Sequence, residues 1–202
     1  GDVTGDGYGD AIVGAEGYGD GGFQARGAVY LISGGVTGIV DLSDAVARIF
    51  GDERYDRVGT AVAGPGDVNG DGVNDLVFSG STWPANDAKG ATFVHFGPVS
   101  GNIAASDSDA LYEGPVAGTR AGASVSVGDV NGDGHGDLVV GAPGFTDTAS
   151  AQGAVFVMLG PLDTSHSLAD AVAMFTGRNE DDEAGQSVAA DGDLNDDGLM
   201  DL

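Results

Sequence analysis

One nine-residue stretch near the middle of the chain carries oxygen atoms at the spacing that a calcium ion requires. Asp129, Asn131, Asp133 and Asp137 stand at its first, third, fifth and ninth positions, and Gly134 at the sixth position permits a sharp turn. Hard cations such as Ca²⁺ bind carboxylate and amide oxygens, and a backbone carbonyl at the seventh position can complete the coordination. The spacing therefore predicts a calcium-binding loop.

The same pattern occurs four times, with successive copies beginning 62 to 65 residues apart. We name the copies loop 1 (2–10), loop 2 (67–75), loop 3 (129–137) and loop 4 (193–201), and we expect three to four Ca²⁺ ions, one per loop. The predicted ligands, with the seventh residue of each loop contributing its carbonyl, are Asp2, Thr4, Asp6, Tyr8, Asp10, Asp67, Asn69, Asp71, Val73, Asp75, Asp129, Asn131, Asp133, His135, Asp137, Asp193, Asn195, Asp197, Leu199 and Asp201.

Two other interpretations of these loops are an EF-hand and a turn without metal. An EF-hand needs an acidic twelfth residue and a following helix, but the twelfth residues here are Val13, Phe78 and Val140, within strand-like segments. That excludes an EF-hand and leaves a metal-free turn rich in Asn, Asp and Gly as the alternative. Since three aspartates on one turn repel each other, we expect the ion to be structural and to hold the hairpin together.

Four short apolar segments recur with each loop, rich in Val, Phe and Tyr and bounded by Gly and Asp, and they are typical of β-strands. Four strands per repeat predict an all-β fold, namely β-propeller blades of four antiparallel strands. One helical turn is expected over 168–172. The predicted strands are 11–13, 76–78 and 138–140, then 27–32, 90–96 and 153–159, then 47–50, 110–112 and 172–175, and lastly 59–63, 122–127 and 185–189.

Residues 121–159 resemble the FG-GAP repeat of integrin α-subunit propellers and related bacterial proteins. The resemblance rests on Gly-Asp-Val-Asn-Gly-Asp-Gly (128–134), Asp-Leu-Val-Val-Gly-Ala-Pro-Gly (137–144) and Gly-Ala-Val-Phe-Val (153–157), while the Phe-Gly element reads Ala121-Gly122. It implies that each aspartate loop joins the first and second strands of a blade, and that ligands meet the opposite face. The loops of that face are 16–26, 81–89, 144–152, 51–57, 113–120 and 177–183.

The chain is expected to be a single propeller segment over 1–202, with repeat units at about 1–58, 59–121 and 122–184 and a partial unit at 185–202. Propellers close with roughly four to eight blades, and about three are present here. We therefore expect a fragment of a larger propeller, completed by missing chain or by other subunits.

Charge and motifs limit the partners and the chemistry. The net charge of −25 repels nucleic acid and anionic membranes, and no apolar run reaches the roughly 20 residues of a membrane span. We therefore expect no nucleic-acid partner and no direct membrane insertion. The three histidines accompany no nucleophile motif, so we expect no enzyme activity. Trp83, in a polar loop, is expected either to stack on a ligand or to pack on its own blade.

Our leading hypothesis is a calcium-stabilised extracellular β-propeller segment that binds protein or glycan as an adhesion or recognition module. A location outside the cell or at its surface is expected because such loops fill where free Ca²⁺ is high. The alternatives are a non-catalytic propeller domain of a larger secreted enzyme and an architectural repeat of a surface layer or filament.

Overall fold

The computed structural model describes residues 1–22, 24–147, 150–190 and 192–202, and β-strands dominate these residues. No described helix is long or apolar enough to cross a membrane. The strands are β1 (Ala11–Ala15), β2 (Ala28–Ile32), β3 (Ala47–Phe50), β4 (Val58–Gly66), β5 (Asp75–Gly80), β6 (Ala91–His95), β7 (Gly101–Ala104), β8 (Ala110–Glu113), β9 (Ser124–Gly128), β10 (Asp137–Ala142), β11 (Ala154–Met158), β12 (His166–Ser167) and β13 (Ala173–Thr176).

The strands form three sheets, which we call the first, second and third blades. The second blade is an antiparallel meander in the order β4-β5-β6-β8, and the third repeats it as β9-β10-β11-β13. The first blade contains β1, β2 and β3, which correspond to the second, third and fourth strands of the other two. Loops 2 and 3 join the first and second strands of their blades, as predicted. The all-β fold of four-stranded blades is confirmed.

The second and third blades each contribute a short strand to the blade before them, which the sequence did not predict. β7 follows the third strand of the second blade and pairs in parallel with β3 of the first. β12 makes the same crossing from the third blade to β8 of the second. These crossings cover outer strands whose backbone N–H and C=O groups would otherwise be open to other chains, and they tie successive blades together.

The predicted strand over 185–189 is wrong. In the second and third blades the corresponding segment pairs with the strand that follows an aspartate loop, whereas residues 185–189 pair with none of the described strands. The segment nevertheless lies against the third blade, so closely that a Cβ on Gly141 would overlap the carbonyl oxygen of Gly185. The predicted helical turn is a 3₁₀ turn at Leu168–Asp170, and similar turns at Leu42–Asp44 and Ala105–Asp107 were not foreseen. The repeat boundaries stay a prediction.

Apolar side chains fill the spaces between successive blades. Leu31 and Ile49 of the first blade pack with Phe78 and Phe93 of the second, and those two rings stack with centroids 5.1 Å apart. Burying each such side chain contributes about 1.5–3 kcal/mol. Trp83 is half-buried and meets Phe93 edge-on at 5.5 Å between centroids, so of the two roles expected for it the structure shows packing on its own blade.

Candidate calcium sites

The four loops share a backbone that glycine makes possible. The sixth residue has a left-handed φ of 90° at Gly7, 88° at Gly72, 90° at Gly134 and 89° at Gly198. L residues with a side chain rarely adopt this conformation, whereas glycine does so readily. The fourth residue is also left-handed in every loop; it is glycine in loops 1 to 3 and Asp196, with φ 61°, in loop 4.

The first aspartate of each loop points its carboxylate into the turn. In loop 2, Asp67 accepts hydrogen bonds from the backbone N–H groups of Gly70 at 2.6 Å, Asp71 at 3.1 Å and Gly72 at 2.8 Å. Loop 3 repeats these bonds at 2.7, 3.1 and 2.9 Å. In loop 1 the equivalent bond from Gly7 is the main reason that the pKa of Asp2 lies below its ordinary value. The first carboxylate is therefore held in place by the N–H groups of its own turn.

The ninth aspartate of loops 2 and 3 is fully buried and begins a strand. Asp75 accepts N–H bonds from Val68 at 2.8 Å and Gly97 at 3.0 Å. Asp137 accepts the same pair from Val130 at 2.9 Å and Gly160 at 2.8 Å. Burial raises the pKa of both carboxyls, and the negative charges of the other aspartates in each loop add to the rise. A buried carboxylate among like charges is unfavourable unless a cation compensates it.

The oxygen spacing of loop 1 fits a calcium ion. Asp2, Asp6 and Asp10 each place one carboxylate oxygen within 4.8 Å of the other two. Oxygens on opposite sides of a Ca²⁺ ion, each at about 2.4 Å, would be about 4.8 Å apart. Across the described ranges this is the one group of three acidic or histidine side chains that meets the distance. In loops 2 and 3, the asparagine at position three instead donates its side-chain N–H to the middle aspartate, at 3.1 and 2.9 Å.

All twenty predicted ligand residues lie in the described part of the chain. The structure brings the carboxylates together at ligand spacing in loop 1, and in the other three loops it links the predicted residues through hydrogen bonds within the loop. The middle aspartate of each loop accepts the N–H of the seventh residue, at 2.9 Å for Tyr8, 2.8 Å for Val73, 2.9 Å for His135 and 2.9 Å for Leu199. Loop 4 is the most exposed copy, although Asp201 still accepts the N–H of Leu194 at 2.7 Å, as the ninth residue does elsewhere.

Sequence reasoning missed the residues that fix the ninth carboxylate from outside the loop. They are Gly34, Gly97 and Gly160, whose N–H groups donate to Asp10, Asp75 and Asp137 at 3.0, 3.0 and 2.8 Å. A Cβ on Gly34 or Gly97 would overlap a backbone carbonyl oxygen of the adjacent loop. The sequence signal that could have identified them is a glycine two residues after β2, β6 and β11.

On the opposite face, the two loops expected to meet ligands are joined by backbone hydrogen bonds. The N–H groups of Arg57 and Val58 donate to the carbonyls of Ala25 and Arg26, both at 3.1 Å. The same pair of bonds recurs from residues 120 and 121 to 88 and 89, and from 183 and 184 to 151 and 152. Residues 57, 120 and 183 are all left-handed, yet they are Arg, Arg and Glu. The three loop pairs thus have the same backbone arrangement but carry different side chains at the left-handed position.

The chain is similar to proteins of two kinds. The FG-GAP repeat family matches residues 121–158. Phosphatidylinositol-glycan-specific phospholipase D of Homo sapiens is 34% identical over 190 residues, which cover 90% of this chain and 22% of that protein. Integrin alpha pat-2 of Caenorhabditis elegans is 30% identical over 168 residues, or 76% of this chain and 13% of that protein. Integrin alpha-IIb of Mus musculus is 31% identical over 153 residues, which cover 73% of this chain and 14% of that protein.

The chain thus spans 22% or less of the length of these three relatives. The matched repeat coincides with the third blade from the start of its first strand to the end of its third, and it contains loop 3 with its left-handed glycines. The expected resemblance is confirmed by the fold and by the matches. The chain therefore belongs to the FG-GAP repeat proteins, as an integrin α-like β-propeller segment.

Proposed function

We propose that this chain is a calcium-stabilised extracellular propeller segment that binds a protein or glycan ligand as an adhesion or recognition module. The observation that carries the calcium proposal is the pair of fully buried carboxylates, Asp75 and Asp137, each surrounded by other aspartates. Within the described residues neither carboxylate forms an ion pair with Lys or Arg. A bound cation would supply the missing positive charge.

The ions are proposed to be structural, three to four in number, with one per loop. Each would join the first and ninth residues of a loop, and in loops 2 and 3 it would so fix the hairpin between the first two strands of a blade. The chemistry that Ca²⁺ supplies here is charge compensation and coordination of hard oxygens. The loops' own backbone N–H groups already orient the carboxylates, so the ion meets a partly formed site.

A thermal melt in calcium chloride and in chelator, with calorimetric titration of the chelated protein, tests the calcium proposal. We expect a higher melting temperature in calcium and three to four ions bound per chain. Equal melting temperatures and no heat of binding would contradict it.

Recognition is proposed for the face opposite the calcium loops. Around the junction of the first two blades this face presents Arg54, Tyr55 and Arg57, all exposed, with 47% of Tyr55 accessible. The Tyr55 hydroxyl donates to Gln24 at 2.7 Å and its carbonyl accepts the Thr82 hydroxyl at 2.5 Å, so the ring is held in place. A fixed, exposed aromatic beside arginines is typical of protein and glycan contacts.

Binding is tested with the whole chain on glycan and protein arrays, using two tyrosine variants. Tyr55→Ala removes an exposed ring from the proposed face, whereas Tyr8→Ala removes one that is 62% exposed on the calcium face. We expect Tyr55→Ala to weaken capture of whatever the wild type binds and Tyr8→Ala to leave it unchanged. Equal losses, or no ligand on either array, would count against the recognition face.

The phospholipase D relatives favour a second candidate, a non-catalytic propeller domain of a larger secreted enzyme. The human phospholipase match covers 90% of this chain, the widest of the three described above, and only 22% of the enzyme itself. In that case the active centre would lie in a different part of the protein. The sequence of the complete gene separates the two candidates, because only the second requires an attached catalytic domain.

A further inference from the structure

Successive aspartate loops are connected to each other by hydrogen bonds that run from the eighth residue of one loop to the first residue of the loop before it. Gly136 N–H donates to the carbonyl of Asp67 at 3.0 Å, and Met200 N–H donates to the carbonyl of Asp129 at 3.3 Å. Between loops 2 and 1, the side-chain amide of Asn74 donates to the carbonyl of Asp2 at 3.2 Å. All four loops are therefore joined in one chain of contacts.

Side chains reinforce two of these three connections. The His135 ring of loop 3 lies over Gly70 of loop 2, so that a Cβ on Gly70 would be 2.5 Å from its Cε1 and 2.8 Å from its Nδ1. Leu199 of loop 4 lies over Gly132 of loop 3 in the same way, at 2.6 Å. In both pairs the seventh residue of one loop covers the fourth residue of the preceding loop.

The connection between loops 1 and 2 differs, because the Val73 side chain does not reach Gly5, the fourth residue of loop 1. The Val73 side chain lies 2.8 Å from where a Cβ on Gly97 would stand, and the atom nearest to Gly5 belongs to Pro98, at 3.6 Å. Loops 1 and 2 thus share the hydrogen bond without the covering side chain. The chain itself provides a matched control for the side-chain contact.

We propose that calcium binding at one loop raises the affinity of the loops beside it, through these contacts. The inference rests on the proposed calcium binding. The accepting carbonyl belongs to the residue whose carboxylate is the first ligand, and the donor lies between the seventh and ninth ligand positions of the next loop. An ion that orders loop 3 therefore fixes Gly136 and His135, and these in turn hold Asp67 and Gly70 of loop 2. Loop 2 is then partly ordered before it binds its own ion and loses less conformational entropy on binding, so its calcium affinity is higher.

The test follows each loop separately by NMR during titration of the chelated protein with calcium chloride. The amides of Gly7, Gly72, Gly134 and Gly198 each donate to the first aspartate of their own loop, at 2.7, 2.8, 2.9 and 2.8 Å, and report its occupancy. Removing one ligand of loop 3 with Asp133→Ala should raise the calcium midpoint at Gly72 and Gly198 by about fivefold or more, within the usual range of coupling factors.

The same variant should raise the Gly7 midpoint less than the Gly72 midpoint, because the described hydrogen bonds of loop 1 to another aspartate loop run to loop 2, so that loop 3 acts on loop 1 only through loop 2. Coupling is reciprocal, so Asp71→Ala should raise the midpoint at Gly134 by the factor that Asp133→Ala produces at Gly72. An unchanged Gly72 midpoint would overturn the proposal. So would an equal rise at all four glycines, which would indicate general destabilisation.

Two further variants test the side-chain contact while keeping every backbone carbonyl. His135→Ala should reduce the coupling between loops 2 and 3, and Val73→Ala should leave the coupling between loops 1 and 2 at its wild-type value. Equal effects of both variants would contradict the role given to His135. If calcium shifts none of the four glycine amides, the proposed calcium binding itself fails; if it shifts them with independent midpoints, only the coupling fails.

Discussion

Replacing Asp75 with Asn separates calcium binding from ordinary structural stabilisation. The wild-type carboxylate is buried, accepts two backbone N–H bonds and is the proposed ligand at the ninth position of loop 2. At a calcium concentration of about 100 times the dissociation constant, one site stabilises the folded state by about 2.7 kcal/mol. Asp75→Asn should lose this contribution in calcium, which corresponds to a drop of about 5–11 °C in melting temperature for a chain of this length.

In chelator the same substitution should have a much smaller effect. The asparagine oxygen can accept only one of the two N–H bonds, which costs about 1–3 kcal/mol, but the substitution also removes a buried negative charge whose pKa is raised by burial. The two effects oppose each other. The difference between the losses in calcium and in chelator is therefore the quantity to measure, by thermal melts monitored with circular dichroism.

Asp56→Asn is the matched control. Asp56 is also buried, with 1% of its surface exposed, its pKa is also raised mainly by burial, and its carboxylate accepts the N–H of Glu53 at 2.7 Å. It lies outside the calcium loops, so its substitution should lower the melting temperature by the same amount in calcium and in chelator. If Asp75→Asn behaved like Asp56→Asn, the assignment of Asp75 as a calcium ligand would be refuted.

Three further predictions follow from the same contacts. The folded-state pKa values of Asp75 and Asp137 are raised, so in chelator their contribution to stability is present below the unfolded pKa of about 3.9 and is lost as the pH rises through the folded pKa. Protons should compete with calcium for these carboxylates over the same pH range, so the calcium affinity measured by calorimetry should fall on acidification. A calcium affinity that does not change with pH would contradict this. Trp83→Ala should lower the free energy of unfolding by about 2 kcal/mol through the lost contact with Phe93, measured by urea unfolding, and a change under about 0.5 kcal/mol would show the ring to be dispensable. Gly97→Ala should weaken calcium binding because its Cβ would overlap the Asn74 carbonyl, whereas Gly17→Ala, with open space around it, should bind calcium as the wild type does.

The aspartate loops and most strands were predictable from the sequence because they are locally determined. A glycine at the sixth position, with oxygen side chains before and after it, requires one backbone conformation wherever it occurs, and all four copies adopt it. The runs that became β5, β6, β10 and β11 are apolar enough to be buried on both faces. Strands β6 and β11 lie within the predicted segments, whereas β5 and β10 begin one residue before theirs and end two residues after them.

The features that escaped prediction depend on contacts between segments that are separate in the sequence. Strand β12 contains only His166 and Ser167, and it exists because β8 of the preceding blade offers a free edge. Residues 185–189 have a strand-like sequence but pair with no strand in the part of the chain that the structure describes, unlike the same segment of the second and third blades. The polar neighbours of Trp83 favoured exposure as much as burial, and the ring of Phe93, distant in sequence, decided the outcome. Sequence periodicity carries none of this information.

The hydrogen bonds explain how one face of the propeller can stay constant while the other varies. On the face that carries the aspartate loops the side chains themselves build each loop, so Asp at the first, fifth and ninth positions and Gly at the sixth recur in every copy. On the opposite face the loops are held by backbone bonds between residues such as Arg57 and Ala25, and these bonds place no demand on side-chain type. Arg57, Arg120 and Glu183 can therefore differ in charge at the same left-handed position. A surface whose shape is set by the backbone leaves its side chains available for recognition.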